Sequence, residues 1–140
     1  MPSTDLAASA ARTASRIALA AVFVAGGWQV WNQPDGPATA AGPFLARARK
    51  TVTPLERRTD RQLVRLNAAV HLADGVSLAA GAAPAAAGAV LAASLVPTTV
   101  AAFPFWAQPA GPQRTRQLAD FLKNVALAGG LLAVAIGKKR

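Results

Sequence analysis

Polar and ionisable side chains recur at helical spacing inside two otherwise apolar stretches of this chain. Asn67, His71 and Asp74 stand at i, i+4 and i+7, so they share one face of a helix. Asp120 and Asn124 are four residues apart on a second predicted helix. Side chains of these types can hydrogen-bond a ligand's carbonyl oxygen or carry a proton. The spacing therefore predicts an inward polar face that holds a ligand or moves a proton.

The antiparallel order of the predicted helices brings further polar residues to the same level. The predicted layer consists of Gln29, Asn67, His71, Asp74, Thr98, Thr99, Asp120, Lys123 and Asn124. Asn67, Lys123 and Asn124 are the candidates to hydrogen-bond a ligand carbonyl. His71 or Asp120 is the candidate to handle a proton.

Asp74 lies deepest in the predicted layer. An unpaired charge at that depth would cost several kcal/mol, so we expect Asp74 and Lys123 each to have a polar partner inside the bundle. Lys123 or His71 is the expected partner of Asp74, and Asp120 is the alternative partner of Lys123. A purely structural interpretation stands beside the functional one, because interhelical hydrogen bonds alone stabilise a bundle by roughly 0.6–2 kcal/mol each.

No catalytic motif accompanies these residues. The sequence has no cysteine and one histidine, which excludes disulfides, thiol catalysis and covalently attached haem. A single histidine does not make a metal site, since such sites need convergent donors. No nucleophile triad or phosphate loop is present. Whether the protein is an enzyme stays open, and at most it is a subunit of a membrane oxidoreductase.

The composition is that of a membrane protein. Of 140 residues 53% are apolar and 15% are charged, whereas soluble domains have about 25% charged residues. The net charge is +9, but the basic residues flank the apolar segments and no nucleic-acid-binding motif occurs. Contact with lipid headgroups explains this charge more simply than nucleic acid does. We expect a single multi-pass domain in the cell membrane.

Four apolar segments predict an all-α, four-helix transmembrane bundle with a polar, basic first loop. The predicted helices cover approximately residues 15–32, 54–81, 85–106 and 114–137, and the loop covers 33–53. Thr53 and Glu56 form a capping-box pattern with proline between them, which predicts a helix start near Pro54. The short turn before Pro84 predicts an antiparallel hairpin. Both termini would then lie on one face.

Two alternatives to this architecture are weaker. A soluble bundle needs polar residues at every turn, but residues 85–105 contain only Ser94, Thr98 and Thr99 as polar side chains. A cleaved signal peptide ending near residues 38–40 would place two tryptophans between its apolar core and the cleavage site. The orientation stays open, because the basic residues of the loops and those flanking the first helix favour opposite orientations.

Several short blocks resemble the DoxX family of small bacterial and archaeal membrane proteins. The resemblance covers roughly residues 15–137 and is carried by residues 66–70 (LNAAV), 95–99 (LVPTT), 103–106 (FPFW) and 121–130 (FLKNVALAGG). Family members usually have histidine directly before the Phe-Leu-Lys-Asn block, where this chain has Asp120. If that histidine has a proton or ligand role, His71 is the residue left to fill it here.

The resemblance implies a four-helix membrane protein associated with redox chemistry. The family is named for a subunit of an archaeal thiosulfate:quinone oxidoreductase, and some bacterial relatives belong to thiol-redox and oxidative-stress assemblies. We therefore expect a membrane subunit of a redox-linked complex, with other protein subunits as partners and a quinone or lipid headgroup held non-covalently against the polar layer. The alternative is a structural anchor or assembly factor without ligand or activity. A small transporter lacks the inverted repeats of that class.

Overall fold

The computed structural model describes residues 3–137, and that part of the chain contains five α-helices and no strand. The helices are α1 (Ser3–Asn32), α2 (Asp35–Arg49), α3 (Asp60–Ala80), α4 (Pro84–Ala102) and α5 (Pro112–Ile136). Short 3-10 turns at Thr53–Arg57 and Phe105–Ala107 precede α3 and follow α4. The all-α class predicted from the sequence is confirmed.

Within residues 3–137, three helical segments are long and apolar enough to cross a bilayer: Ser3–Asn32, Pro84–Ala107 and Pro112–Ile136. Large apolar side chains such as Val22 and Leu122 remain exposed on their outer surfaces. Helices with apolar exteriors suit a lipid environment. The remaining predicted membrane helix, at 54–81, corresponds to α3. This helix is more polar and is not among the three segments.

Small residues let α1 and α3 approach closely. A Cβ atom added to Gly27 of α1 would lie 2.9 Å from the carbonyl oxygen of Ala68 in α3. A Cβ atom added to Gly75 of α3 would lie 2.9 Å from a methyl group of Val24. Neither position has room for a larger side chain, and such small residues are typical of helix contacts in membranes.

The core lies where α3, α4 and α5 meet. Leu78, Leu91 and Leu131, one from each helix, are fully buried. Gly88 of α4 faces the backbone of α5, since a Cβ there would lie 2.9 Å from the Leu131 carbonyl oxygen. Phe23 adds a buried contribution from α1 to the same cluster. This packing fixes α4 between its two neighbours, and both sets of polar contacts described below involve α4.

The turn between α3 and α4 is as short as predicted. Gly81 ends α3 with φ 72°, a left-handed conformation that glycine adopts without steric cost. Ala83 has φ 47°, and Pro84 begins α4 at the first helical position. The two helices therefore form the expected antiparallel hairpin.

The predicted polar loop at 33–53 is wrong, because residues 35–49 form α2. Two prolines and two glycines in this stretch gave it the composition of a loop. Pro37 lies in the first turn, where a missing N–H is tolerated, and Pro43 interrupts a single backbone bond. An apolar stripe at Ala41, Phe44 and Ala48 faces α3 and α4 across the cavity described below, and contacts of α2 with both helices hold it in place.

The predicted helix start at Pro54 is also wrong. Residues 53–57 form a 3-10 turn, Thr53 makes no capping bond within it, and α3 begins at Asp60. The capping box lies six residues later: the Thr59 hydroxyl accepts from the Gln62 backbone N–H at 3.2 Å, and the Gln62 side chain accepts from the Thr59 N–H at 3.0 Å. Both segments fit the capping pattern, and packing against α2 selects the second.

The other predicted boundaries differ less. The predicted first helix at 15–32 is the second half of α1, which begins at Ser3. The predicted helix at 85–106 is α4 together with the following 3-10 turn, and the one at 114–137 is α5 with its start moved to Pro112. Polar residues before position 15 continue the helix because Asp5 and the alanines there favour it.

Candidate functional site

Two asparagines reach neighbouring threonines of α4 from opposite sides. The Asn67 Nδ2 of α3 donates to the Thr98 Oγ1 at 3.0 Å, and the Asn124 Nδ2 of α5 donates to the Thr99 Oγ1 at 3.1 Å. Thr98 and Thr99 in turn donate to carbonyl oxygens one turn earlier, at 2.9 and 2.6 Å. Each hydroxyl thus links α4 to a different neighbour.

His71 and Thr99 are the two buried members of the predicted layer, and His71 has 9% of its surface exposed. Its Nε2 lies 3.1 Å from the Ser94 Oγ, and that hydroxyl donates to the Leu91 carbonyl at 3.0 Å. Because the serine proton is used there, the serine oxygen accepts from the histidine Nε2–H. The Phe23 ring packs edge-on against the imidazole at 5.1 Å between centroids. His71 is therefore held rigidly between α1, α3 and α4.

Ser94 was absent from the predicted layer although it contacts the buried His71. The available signal was spacing: Ser94 precedes Thr98 by four residues and so lies on the same face of α4. Asn67, His71, Ser94 and Thr98 lie together between α3 and α4, where Asn67 bonds to Thr98 and His71 bonds to Ser94. We call these four residues the α3–α4 polar cluster.

The expectation that Lys123 has its polar partner inside the bundle is wrong. Its side chain is 73% exposed, and its Nζ lies 2.9 Å from the Asp120 Oδ1 on the same helix. Asn124 already faces α4, and successive helical residues are rotated by about 100°, so Lys123 points outward. The alternative partner, Asp120, is the one present. This ion pair lies on the surface of α5, away from the α3–α4 polar cluster.

Gln29 and Asp74 lie outside the polar contacts that the structure forms. Gln29 is exposed on α1, and Asp74 is partly buried on α3. Within residues 3–137 neither side chain has a hydrogen bond or an ion pair, so the expected pairing of Asp74 with Lys123 or His71 is absent there. The predicted single layer is thus divided into the α3–α4 polar cluster, the Thr99–Asn124 contact, the surface ion pair and these two separate residues.

A cavity of about 490 Å³ lies beneath α2, between it and the ends of α1, α3 and α4. Asn67 and Thr98 supply its polar wall, and the other lining residues are apolar. They are Val30, Pro37, Ala40, Ala41, Phe44, Leu45, Ala48, Leu55, Leu63, Val64, Pro97, Ala101 and Ala102. Small-molecule sites commonly have this size and this mixture of apolar walls with few polar groups. No sequence pattern predicts this cavity, because it is covered by α2, whose prolines and glycines favour a loop.

Arg49 fastens α2 to the chain below it. Its Nη2 lies 2.5 Å from the Asp60 Oδ1 and donates to the Arg58 carbonyl at 2.8 Å, and its Nε donates to the Leu55 carbonyl at 3.3 Å. At the other end of α2, Asp35 forms an ion pair with Arg61. These contacts hold α2 across the start of α3 and close the cavity from above.

Aromatic residues cluster at the end of α1 and at the junction of α4 with α5. Trp28 and Trp31 are exposed near the end of α1, and the Arg65 guanidinium lies 5.9 Å from the centre of the Trp31 ring. Phe105, Trp106 and Phe121 pack edge-to-face between α4 and α5. Tryptophans at the ends of apolar helices are typical of the membrane interface.

Comparison with models of protein families, with curated proteins and with solved structures finds no match for this chain.

Proposed function

We propose that this protein is a multi-pass membrane protein, with α1, α3, α4 and α5 crossing the bilayer and α2 lying in the headgroup region. Three of these helices have the length and apolar character that a crossing requires. The aromatic residues at the end of α1 and the basic residues of 47–65 then lie at one interface. α2 has an apolar face toward the bundle and two basic residues in its last turn, which suits an interfacial helix.

The function that this arrangement supports best is that of a ligand-holding membrane subunit of a redox-linked complex. The observation that carries the ligand-holding part is the cavity beneath α2, whose apolar wall is interrupted only by Asn67 and Thr98. A quinone or lipid fits such a site, because its chain can lie along the apolar wall while an oxygen accepts from the Asn67 amide. The association with redox chemistry and with other subunits rests on the resemblance to the DoxX family.

A structural role without ligand is the second candidate, and one observation favours it. The polar side chains buried between the helices already bond to one another, as in the Asn67–Thr98 and Asn124–Thr99 contacts. Hydrogen bonds of this kind are enough to specify how membrane helices associate. An anchor or assembly factor would need the bundle but not the cavity.

A variant that fills the cavity distinguishes the two candidates. Ala101 lines the cavity, whereas Ala93 is exposed on the same helix and serves as the matched control. The parent, Ala101→Phe and Ala93→Phe would be purified in mild detergent, and co-purifying lipids and quinones would be identified by mass spectrometry. We expect the parent and Ala93→Phe to retain a defined small molecule that Ala101→Phe lacks. Identical small-molecule content in all three would contradict the ligand-holding role and favour the structural one.

The redox association needs its own measurement. The parent protein would be isolated with its natural partners, and co-eluting proteins would be identified by mass spectrometry. We expect an oxidoreductase subunit among them at a fixed stoichiometry. Recovery of the bundle alone, or with partners of no redox chemistry, would contradict this part of the proposal.

A further inference from the structure

The basic residues around the cavity beneath α2 are only partly neutralised by pairing within the protein. Arg49 pairs with Asp60, and Arg61 pairs with Asp35. The other cations between α2 and the start of α3, which we call the cationic rim, are Arg47, Lys50, Arg57 and Arg58. All four are exposed, and none has an ion pair in the part of the chain that the structure describes. Glu56 lies among them, so four cations and one carboxylate leave a net charge of +3.

The cationic rim belongs to the same stretch of chain as part of the cavity wall. Ala48 and Leu55 both line the cavity, and Arg47 precedes the first while Arg57 follows the second by two residues. Arg49 joins these two parts of the wall through its hydrogen bond to the Leu55 carbonyl. The cavity wall and these four cations are therefore carried in part by the same segment, from α2 to the start of α3.

We propose that the cavity and the cationic rim together bind one anionic phospholipid, with an acyl chain in the cavity and the phosphate among the rim cations. The inference rests on the proposed function, because that function places α2 in the headgroup layer. A neutral ligand would leave the rim charge uncompensated, and a free phosphate would leave the apolar wall without contacts. A phosphate diester accepts charge-assisted hydrogen bonds from arginine, and clusters of basic residues at the interface favour anionic lipids.

Lipid titration tests the inference directly. Delipidated protein in mild detergent would be titrated with phosphatidylglycerol or phosphatidylcholine of identical chains, and bound lipid would be counted by native mass spectrometry. We expect one phosphatidylglycerol to bind about tenfold more tightly than phosphatidylcholine, since rim cations each strengthen binding of an anionic headgroup. The double variant Arg57→Gln/Arg58→Gln should reduce this preference about tenfold, to near the level of phosphatidylcholine.

The control removes the same charge elsewhere. Arg114 and Arg116 are exposed at the start of α5 and do not line the cavity, so Arg114→Gln/Arg116→Gln should leave the preference unchanged. Circular dichroism and elution volume would verify that both double variants are folded. An equal loss in both double variants would mean diffuse attraction to the surface and would overturn the site. Equal affinity of the parent for the two lipids, or displacement of the lipid by millimolar inorganic phosphate, would overturn it as well.

The result separates this inference from the proposed function. A ligand that Ala101→Phe excludes and that Arg57→Gln/Arg58→Gln leaves bound would overturn the phospholipid assignment while the ligand-holding role stands. If neither Ala101→Phe nor Arg57→Gln/Arg58→Gln changes the bound small molecules, the ligand-holding role itself is overturned. Loss of phosphatidylglycerol in both, with retention in the Arg114→Gln/Arg116→Gln control, supports the two together.

Discussion

A single residue step along α4 directs two identical side chains to different helices. Thr98 bonds to Asn67 of α3, and Thr99 bonds to Asn124 of α5. Each hydroxyl also donates to a carbonyl one turn earlier, next to the backbone site where Pro97 lacks an N–H. The pair thus connects three helices at the level where the proline interrupts the regular helical bonds.

Neighbouring glycines of α1 should differ sharply in their tolerance of alanine. Gly27→Ala would place a Cβ 2.9 Å from the Ala68 carbonyl, so α1 and α3 must separate, at a cost of about 1–3 kcal/mol. Gly26 has nothing within 4 Å of its Cβ position. Gly26→Ala should therefore be neutral or stabilise by about 0.4–1 kcal/mol, through the reduced freedom of the unfolded chain.

Thermal unfolding in detergent, followed by circular dichroism, would measure both variants against the parent. The comparison is internal, since the two positions are adjacent in one helix and receive the same methyl group. Equal stability of the two variants would mean that α1 and α3 do not pack as closely as described.

The sequence could predict which residues are polar within apolar helices, but not where each one points. His71, Asn67 and Thr98 come together because their periodic positions coincide on one interface. Lys123 does not join them, because its direction depends on the rotation of α5 about its axis. That rotation is fixed by packing such as the contact of Gly88 with the α5 backbone, which no single-helix pattern contains.

At the scale of elements, the main unpredicted feature is α2. Its prolines and glycines favour a loop, and its apolar stripe spans only about two turns, so local preference favours a loop while tertiary packing favours a helix. The stripe at Ala41, Phe44, Leu45 and Ala48, spaced i, i+3, i+4 and i+7, was the signal that could have identified it. Arg49 and Asp35 then fix the helix at both ends.

The start of α3 gives a prediction at the same scale. Thr59→Ala should destabilise the first turn of α3 by about 0.5–2 kcal/mol, because it removes the hydroxyl that accepts from the Gln62 N–H. Thr53→Ala is the matched control, since Thr53 lies in the 3-10 turn and caps no α-helix. Hydrogen exchange at the amides of residues 61–64 should accelerate in the first variant and not in the second. Acceleration caused by Thr53→Ala instead would mean that the helix begins at Pro54 after all.

At the scale of the whole molecule, length and composition were enough to predict an all-α chain with apolar helices of membrane length. Three such helices are present, and the α3–α4 hairpin has the predicted turn. The status of α3 could not be settled by the same argument, because Asp74, His71 and Asn67 lower its apolar character. Whether α3 crosses the bilayer depends more on the arrangement of its neighbouring helices than on its own composition.

We expect α3 to cross the bilayer because its neighbours shield it. It has 21 residues, a length of about 31 Å, which matches a hydrocarbon thickness of about 30 Å. It packs against α1, α2 and α4, and His71 and Asn67 face α4 rather than lipid. Its charged first turn at Asp60 lies beneath α2, at the level assigned to the headgroups.

Cysteine labelling measures this topology in a chain that has no cysteine of its own. Single variants Asp5→Cys, Thr51→Cys, Ala82→Cys and Ala110→Cys place thiols at exposed positions before and between the four crossing helices. With four crossings, a membrane-impermeant maleimide applied to one face should label positions 5 and 82 together, and the other face should expose 51 and 110. If α3 lay along the surface instead, position 82 would be labelled with 51, and 110 with 5. Because the two arrangements exchange the partners of positions 82 and 110, one set of four variants decides whether α3 completes the bundle across the membrane.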